Sequence, residues 1–83
     1  MRLTNLEKIQ KICAEQLGVN PNEVTPETHF ERDLGADSLE VVELIMNIED
    51  DFEIVFEDLA AIEIETVQDV LDYIEGRWHS WNK

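Results

Sequence analysis

Apolar residues recur at helical spacing in three separate segments of the chain. In the first segment they fall on one helical face at Leu6, Ile9, Ile12, Cys13 and Leu17. Thr4 followed by Glu7 matches a capping box, and Gly18 supplies a left-handed stop. We therefore predict a first helix from Thr4 to Leu17, in which Cys13 is a small buried apolar residue and not a reactive thiol.

The second and last helices are predicted from the same two signals, a cap and an apolar stripe. Asp37 and Glu40 have the spacing of a capping box, and the helix that follows runs from Ser38 to about Phe52. Its apolar positions are Val41, Leu44, Ile45, Ile48 and Phe52. Thr66 with Asp69 opens the last helix, which Gly76 ends. The apolar face of that helix is formed by Val67, Val70, Leu71 and Ile74.

Two connections lack a helical period. From Gly18 to Asp37, the two prolines restrict the preceding residues to extended conformations, so we predict a long loop. Its anchors to the core are expected to be Val19, Val24, Phe30 and Leu34. Between Glu53 and Glu65, residues 54–56 suit a short strand and residues 58–62 suit one or two helical turns. We favour a loop plus a short helix there.

These elements predict an all-α fold, a four-helix bundle with three main helices, one short third helix and a long loop between the first two. We expect one domain over residues 1–76 and a flexible tail over residues 77–83, with one tryptophan of the tail able to fold back onto the bundle. A domain of this size has little room for an elaborate active site. The chain is therefore expected to be a carrier, a binder or an adaptor, and not an enzyme.

Charge narrows the choice of partners. The formal net charge is −14, and the interval between Arg32 and Arg77 holds 15 acidic residues without one Lys or Arg. The negative electrostatic potential of these residues repels nucleic acid phosphates and anionic lipid, whereas it attracts basic protein surfaces. We expect protein partners with basic patches, no nucleic acid, no stable membrane insertion and a monomeric chain. A single cysteine and the lack of a signal-like or membrane-spanning segment favour the cytoplasm.

One serine has an unusual setting. His29 and His79 have no metal-ligand partner at helical spacing, and the acidic residues do not form an EF-hand, so we expect no metal site. If Asp37 caps the second helix, Ser38 takes the first helical position, where unpaired amides and the helix dipole favour a phosphate. Without a histidine base nearby, its hydroxyl suits an attachment point better than a catalytic nucleophile. The alternative is that Ser38 only helps to cap the helix.

The segment from Asp33 to Leu39 resembles the phosphopantetheine attachment motif of bacterial acyl carrier proteins. Further matches, such as Thr66-Val67-Gln68-Asp69, extend the resemblance over roughly residues 4–76. It implies that Ser38, flanked by Asp37 and Leu39, receives 4′-phosphopantetheine from coenzyme A through a separate phosphopantetheinyl transferase. The terminal thiol of this arm then bears the acyl group.

Two groups of residues are associated with this role. An exposed acidic face beside an apolar stripe on the second helix is expected to dock acyl-transferring and chain-elongating enzymes through basic patches. Its residues are Leu39, Glu40, Val42, Glu43, Met46, Asn47 and Asp50. The resemblance further implies an acyl pocket at Phe30, Ile48, Phe56, Ala61, Ile64, Val70 and Tyr73. Taken alone, these positions would be a solvated face and ordinary core.

Some positions depart from the family pattern. The proline that usually precedes the short third helix is absent, Leu59 and Ile62 stand at typically charged positions, and Val41 replaces a common threonine. These departures leave the attachment motif intact but bear on the cargo and on the choice of partner. Delivery of acyl groups to fatty acid synthesis or to a dedicated synthase is the first hypothesis. A specialised carrier for a polyketide or other secondary pathway is the alternative, and an unmodified acidic interaction module is a third.

Overall fold

A computed structural model of the protein describes residues 3–56 and 64–76, and over these residues the fold is a helical bundle. Helix α1 spans Asn5–Leu17, α2 spans Ser38–Phe52 and α3 spans Val67–Ile74. They correspond to the first, second and last predicted helices, so the all-α fold class is confirmed. The short third helix predicted at residues 58–62 lies outside the described residues, as does the predicted tail at 77–83.

Each of the three helices begins with the capping box that its sequence predicts. The pairs are Thr4 with Glu7, Asp37 with Glu40, and Thr66 with Asp69. In each pair the first side chain accepts a hydrogen bond from the amide three residues later, and the acidic side chain accepts one from the cap amide. Because these bonds satisfy amides that lack helical partners, each cap stabilises its helix by roughly 1 kcal/mol.

The end of α2 differs from the ends of the other helices. Gly18 closes α1 in the left-handed region with a φ of 72°, but α2 closes on Glu53, which has a φ of 57° and a ψ of 45°. A side chain in this region costs roughly 1–2 kcal/mol, because its Cβ crowds the following carbonyl. No basic residue stands in the last turn of α2 to offset the helix dipole.

The core lies where the apolar faces of the three helices meet the loops. It is formed by Ile9, Cys13, Val24, Phe30, Ala36, Val41, Leu44, Ile45, Ile48, Phe56, Ile64, Val67, Val70 and Leu71. Among the predicted loop anchors, Val24 and Phe30 are buried, while Val19 and Leu34 are partly buried against the core. Burial raises the pKa of the Cys13 thiol to about 11, as expected for a packed apolar residue.

The connection between α1 and α2 is more ordered than its sequence predicts. A 3₁₀ helix spans Pro21–Glu23, where the fixed φ of proline suits the first position of a helix. Further along, the amide of Phe30 donates to the carbonyl of Glu65 at 3.0 Å, and the amide of Val67 donates to the carbonyl of Thr28 at 3.0 Å. These bonds tie the loop to the start of α3. None of the described helices is long and apolar enough to cross a membrane.

Candidate functional site

Ser38 lies in the first turn of α2 and is exposed to solvent. The carboxylate of Asp37 accepts the amide of Glu40 at 2.8 Å, and the carboxylate of Glu40 accepts the amide of Asp37 at 3.1 Å. Both acidic neighbours are therefore engaged in the cap. Over residues 3–56 and 64–76, the hydroxyl of Ser38 makes no hydrogen bond, so it is free for covalent modification.

The turn that precedes Ser38 is anchored in the core. Ala36 is only 4% exposed, and its amide donates to the carbonyl of Phe30 at 3.2 Å. Gly35 has a φ of 73°, a left-handed conformation that strains residues with a side chain. Its amide donates to the backbone carbonyl of Glu31 at 3.1 Å. The segment that resembles the attachment motif thus holds Ser38 on an anchored turn at the surface of the bundle.

An exposed apolar stripe begins beside Ser38. Leu39, Val42 and Met46 are 66%, 50% and 57% exposed, and their spacing places them on one side of α2. Glu43, Asn47 and Asp50, which were predicted to flank this stripe, are exposed as well. Large exposed apolar side chains rimmed by charge are typical of an interaction surface, although the docking role of each residue stays a prediction.

Two members of the predicted docking face also make contacts within the bundle. Glu40 is half-buried, and its carboxylate accepts the amide of Asp37 in the capping box. The side-chain amide of Asn47 donates to the side-chain oxygen of Gln16, and the Gln16 amide donates to the carbonyl of Glu40 at 3.3 Å. The last turn of α1 therefore borders the docking face, which the periodicity of α2 alone does not reveal.

The predicted acyl-pocket residues are mostly core residues in this structure. Phe30, Ile48, Phe56, Ile64 and Val70 are each no more than 5% exposed, whereas Ala61 lies outside the described residues. Tyr73 is half-buried and packs edge-on against Phe56 with ring centroids 4.5 Å apart. Its hydroxyl donates to the carbonyl of Val55 at 3.2 Å. A role in acyl binding stays a prediction for all of them.

A depression of about 160 Å³ opens between the loop that follows α1, helix α2 and the segment before α3. It is lined by His29, Phe30, Glu31, Val41, Ile64 and Glu65. Val41 stands three residues after Ser38 on α2, so the two side chains lie on neighbouring turns of one helix face. His29, predicted to be a simple loop residue, is part of this rim because the loop pairs with the segment before α3. The local sequence around His29 does not predict this pairing, because the two paired segments are far apart in the chain.

These features fit a phosphorylated group on Ser38. The hydroxyl is exposed and makes no hydrogen bond to the described residues, and the first amides of α2 favour a negatively charged oxygen at this end of the helix. Among the described residues, no group of three His, Cys, Asp or Glu side chains is placed to hold a metal ion. The exposed hydroxyl at the start of α2 suits covalent attachment at a surface, and the depression lined by both polar and apolar residues lies on the same side of the loop that leads to it.

Comparisons with known proteins define the class. The family model described as a phosphopantetheine attachment site matches residues 7–74. The chain is 55% identical over 71 residues to an acyl carrier protein of Phaeodactylum tricornutum, which covers 86% of this chain and 93% of that protein. It is 57% identical over 69 residues to an acyl carrier protein of Trieres chinensis, covering 83% of this chain and 86% of that protein.

A third relative, an acyl carrier protein of Cylindrotheca sp., is 53% identical over 72 residues, or 87% of this chain and 90% of that protein. The chain is thus one of the proteins that bear phosphopantetheine. Within that class it belongs to the acyl carrier protein family. Members of this family are carriers and not enzymes, and their prosthetic group is 4′-phosphopantetheine.

Proposed function

We propose that this protein carries acyl intermediates as thioesters on 4′-phosphopantetheine attached to Ser38, and that it delivers them to enzymes of fatty acid synthesis. The observation that carries the proposal is the Ser38 hydroxyl at the start of α2, which is exposed and makes no hydrogen bond within the described part of the chain. The segment around it resembles the attachment motif of the family. When bound, the prosthetic group supplies the terminal thiol on which the acyl group is carried.

Attachment requires a separate transferase with coenzyme A. The Ser38 oxygen bonds to the phosphorus next to the pantetheine unit of coenzyme A, and the bond to the second phosphate breaks to release adenosine 3′,5′-bisphosphate. In this proposal the proton of the hydroxyl passes to a general base of the transferase. On the protein side, the free amides of the first turn of α2 stabilise the phosphodiester charge.

The surface beside Ser38 supports docking of basic partner enzymes. The apolar stripe of Leu39, Val42 and Met46 offers area to bury, and the acidic residues around it attract positive patches at long range. Because these acids are exposed, they contribute more to the association rate than to the final affinity. The carrier therefore meets several enzymes without holding any of them tightly.

Intact-mass measurement tests the attachment. Protein incubated with coenzyme A and a phosphopantetheinyl transferase is expected to gain the mass of one phosphopantetheine. Ser38→Ala is expected to gain nothing, and Ser80→Ala is the matched control because it removes the only other serine. An unmodified wild-type chain, or a Ser38→Ala variant that still gains the group, would contradict the proposal.

The cargo needs its own measurement. Protein isolated from its native cell is expected to bear a series of fatty acyl groups that differ by two carbons, read as masses on the thiol of the arm. Polyketide-type or other dedicated acyl groups in their place would leave the carrier role intact and refute the assignment to fatty acid synthesis.

A further inference from the structure

A second depression, of about 190 Å³, lies between α1 and the last turn of α2. It is lined by two apolar and four charged residues, which are Leu3, Ile12, Lys8, Lys11, Glu15 and Asp51. Leu3 is 48% exposed, so an apolar group placed in the depression removes a large apolar side chain from water. The depression thus combines apolar area with charges of both signs.

The two lysines of this depression are unpaired, although the chain is strongly acidic. The net charge is −14, yet neither lysine forms an ion pair with a carboxylate of residues 3–56 and 64–76. Lys8 instead places its amine 5.1 Å from the centroid of the Phe52 ring, a cation–π contact that keeps the charge at the end of α2. Lys11 is exposed. Both positive charges are therefore available to a partner.

The depression continues the docking face onto α1. Asn47 of the docking face donates to the side chain of Gln16 in the last turn of α1. Asp51 follows Asn47 by one turn of α2, and Ile12 precedes Gln16 by one turn of α1, so each lies on the same side of its helix. Asp51 and Ile12 both line the depression. A protein seated on the docking face therefore meets the depression further along the same groove.

Charge changes along this groove. The acidic Glu40 stands in the first turn of α2, whereas Lys8 stands over Phe52, the last residue of that helix. A rise of about 1.5 Å per residue places Ser38 and Phe52 about 21 Å apart along the axis of α2. Different potentials at the two ends of a binding surface fix the orientation in which a complementary partner docks.

The depression suits a carboxylate although Glu15 and Asp51 also line it. These two acids balance the two lysines, so the depression has no net formal charge, in contrast to the acidic docking face. Lys8 and Lys11 are three residues apart on α1 and are neighbours on one side of that helix. One carboxylate placed between their amines accepts charge-assisted hydrogen bonds from both.

We propose that this depression is a second docking point for the partner enzymes, and that it takes an acidic side chain with an apolar side chain next to it. The inference rests on the proposed function and deepens it. The partner's carboxylate bridges Lys8 and Lys11, and its apolar side chain covers Leu3 and Ile12. The surface therefore fits an enzyme that has a basic rim at its active-site entrance and an acidic group about 20 Å away from it.

Zero-length cross-linking tests this contact directly. Holo protein, after intact mass has established attachment at Ser38, is mixed with the chain-elongating enzyme of its native cell and treated with a carbodiimide, which joins amines to carboxylates in contact. Mass spectrometry is expected to find Lys8 or Lys11 joined to an Asp or Glu of the enzyme. Lys83, the only other lysine, is the internal reference.

The Lys8→Gln/Lys11→Gln variant separates this contact from the general attraction between an acidic chain and a basic enzyme. Its two substitutions make the chain more negative, so long-range attraction alone would tighten binding. Loss of the contact weakens binding instead, and we expect the Kd to rise by roughly threefold, the size of effect that exposed ion pairs produce.

Three further variants complete the comparison. Lys8→Arg/Lys11→Arg keeps both charges and is expected to bind like the wild type. Lys83→Gln changes the net charge without touching the depression's lysines, and it is expected to bind no more weakly than the wild type. Because Lys8 also packs over Phe52, the variant Lys11→Gln repeats the measurement with that contact intact, and a higher Kd is expected again.

Two kinds of result would overturn the inference and spare the proposed function. One is a Lys8→Gln/Lys11→Gln variant that binds the enzyme as tightly as the wild type or more tightly, or a complex in which neither lysine is cross-linked. The other is a wild-type chain that dimerises without enzyme and loses this property in the variant, which would assign the depression to a second copy of the chain. Holo protein that the enzyme does not bind at all would overturn the proposed docking as well.

Discussion

Glu53 at the end of α2 provides a test of the energetics of the fold. Its backbone is left-handed, and no hydrogen bond or ion pair holds its side chain among the described residues. Glu53→Gly relieves roughly 1–2 kcal/mol of backbone strain and gives back about 0.4–1 kcal/mol through the greater freedom of the unfolded chain. Removing a negative charge from the helix C-terminus adds about 0.3–1 kcal/mol at low ionic strength.

Glu53→Gly is therefore expected to stabilise the protein by about 1 kcal/mol, which raises the Tm by roughly 4–8 °C for a domain of this size. Glu53→Gln is the matched control, because it removes the charge and keeps the strain. Urea and thermal unfolding followed by circular dichroism give both values. Equal stability of the two variants would refute the backbone strain at Glu53. A Glu53→Gly variant less stable than the wild type would show that the freedom of the unfolded chain outweighs the relief of strain and the removal of charge.

Two further predictions concern charge and pH. The Tm is expected to rise between low and moderate salt, because counterions screen the repulsion within a chain of net charge −14; a flat or falling Tm would contradict this. The pKa of Cys13 is about 11 in the folded protein against 9.0 for a free thiol, so the folded state binds the proton more tightly. Stability is then expected to fall as pH rises from about 9 to 11, by roughly 2–3 kcal/mol in urea unfolding. Cys13→Ala should lack that part of the pH dependence, and an identical slope in the variant would count against the assignment.

The helix starts were predictable because their signals are local. Thr4 with Glu7, Asp37 with Glu40, and Thr66 with Asp69 each satisfy amides within one turn, so four consecutive residues are enough to predict each helix start. The family of the chain was predictable for a similar reason, because the segment that resembles the family's attachment motif is contiguous around Ser38. The comparisons confirm the family.

Other features depend on residues that are distant in the sequence. The pairing of the first loop with the start of α3 joins Phe30 to Glu65, which are far apart in the chain, and it is this pairing that brings His29 to the depression. The left-handed end of α2 at Glu53 was missed because glutamate has no preference for that conformation. The contact of Asn47 with Gln16 depends on the packing of α1 against α2 and has no local signal.

The central claim is that Ser38 is the attachment point, and one peptide tests it directly. Cleavage after Glu31 and Glu40 releases residues 32–40, in which Ser38 is the only residue that bears a hydroxyl group. Tandem mass spectrometry of holo protein isolated from its native cell is expected to find phosphopantetheine on this peptide alone. The same group on any other peptide, or a fully unmodified 32–40 peptide in active cells, would contradict the account.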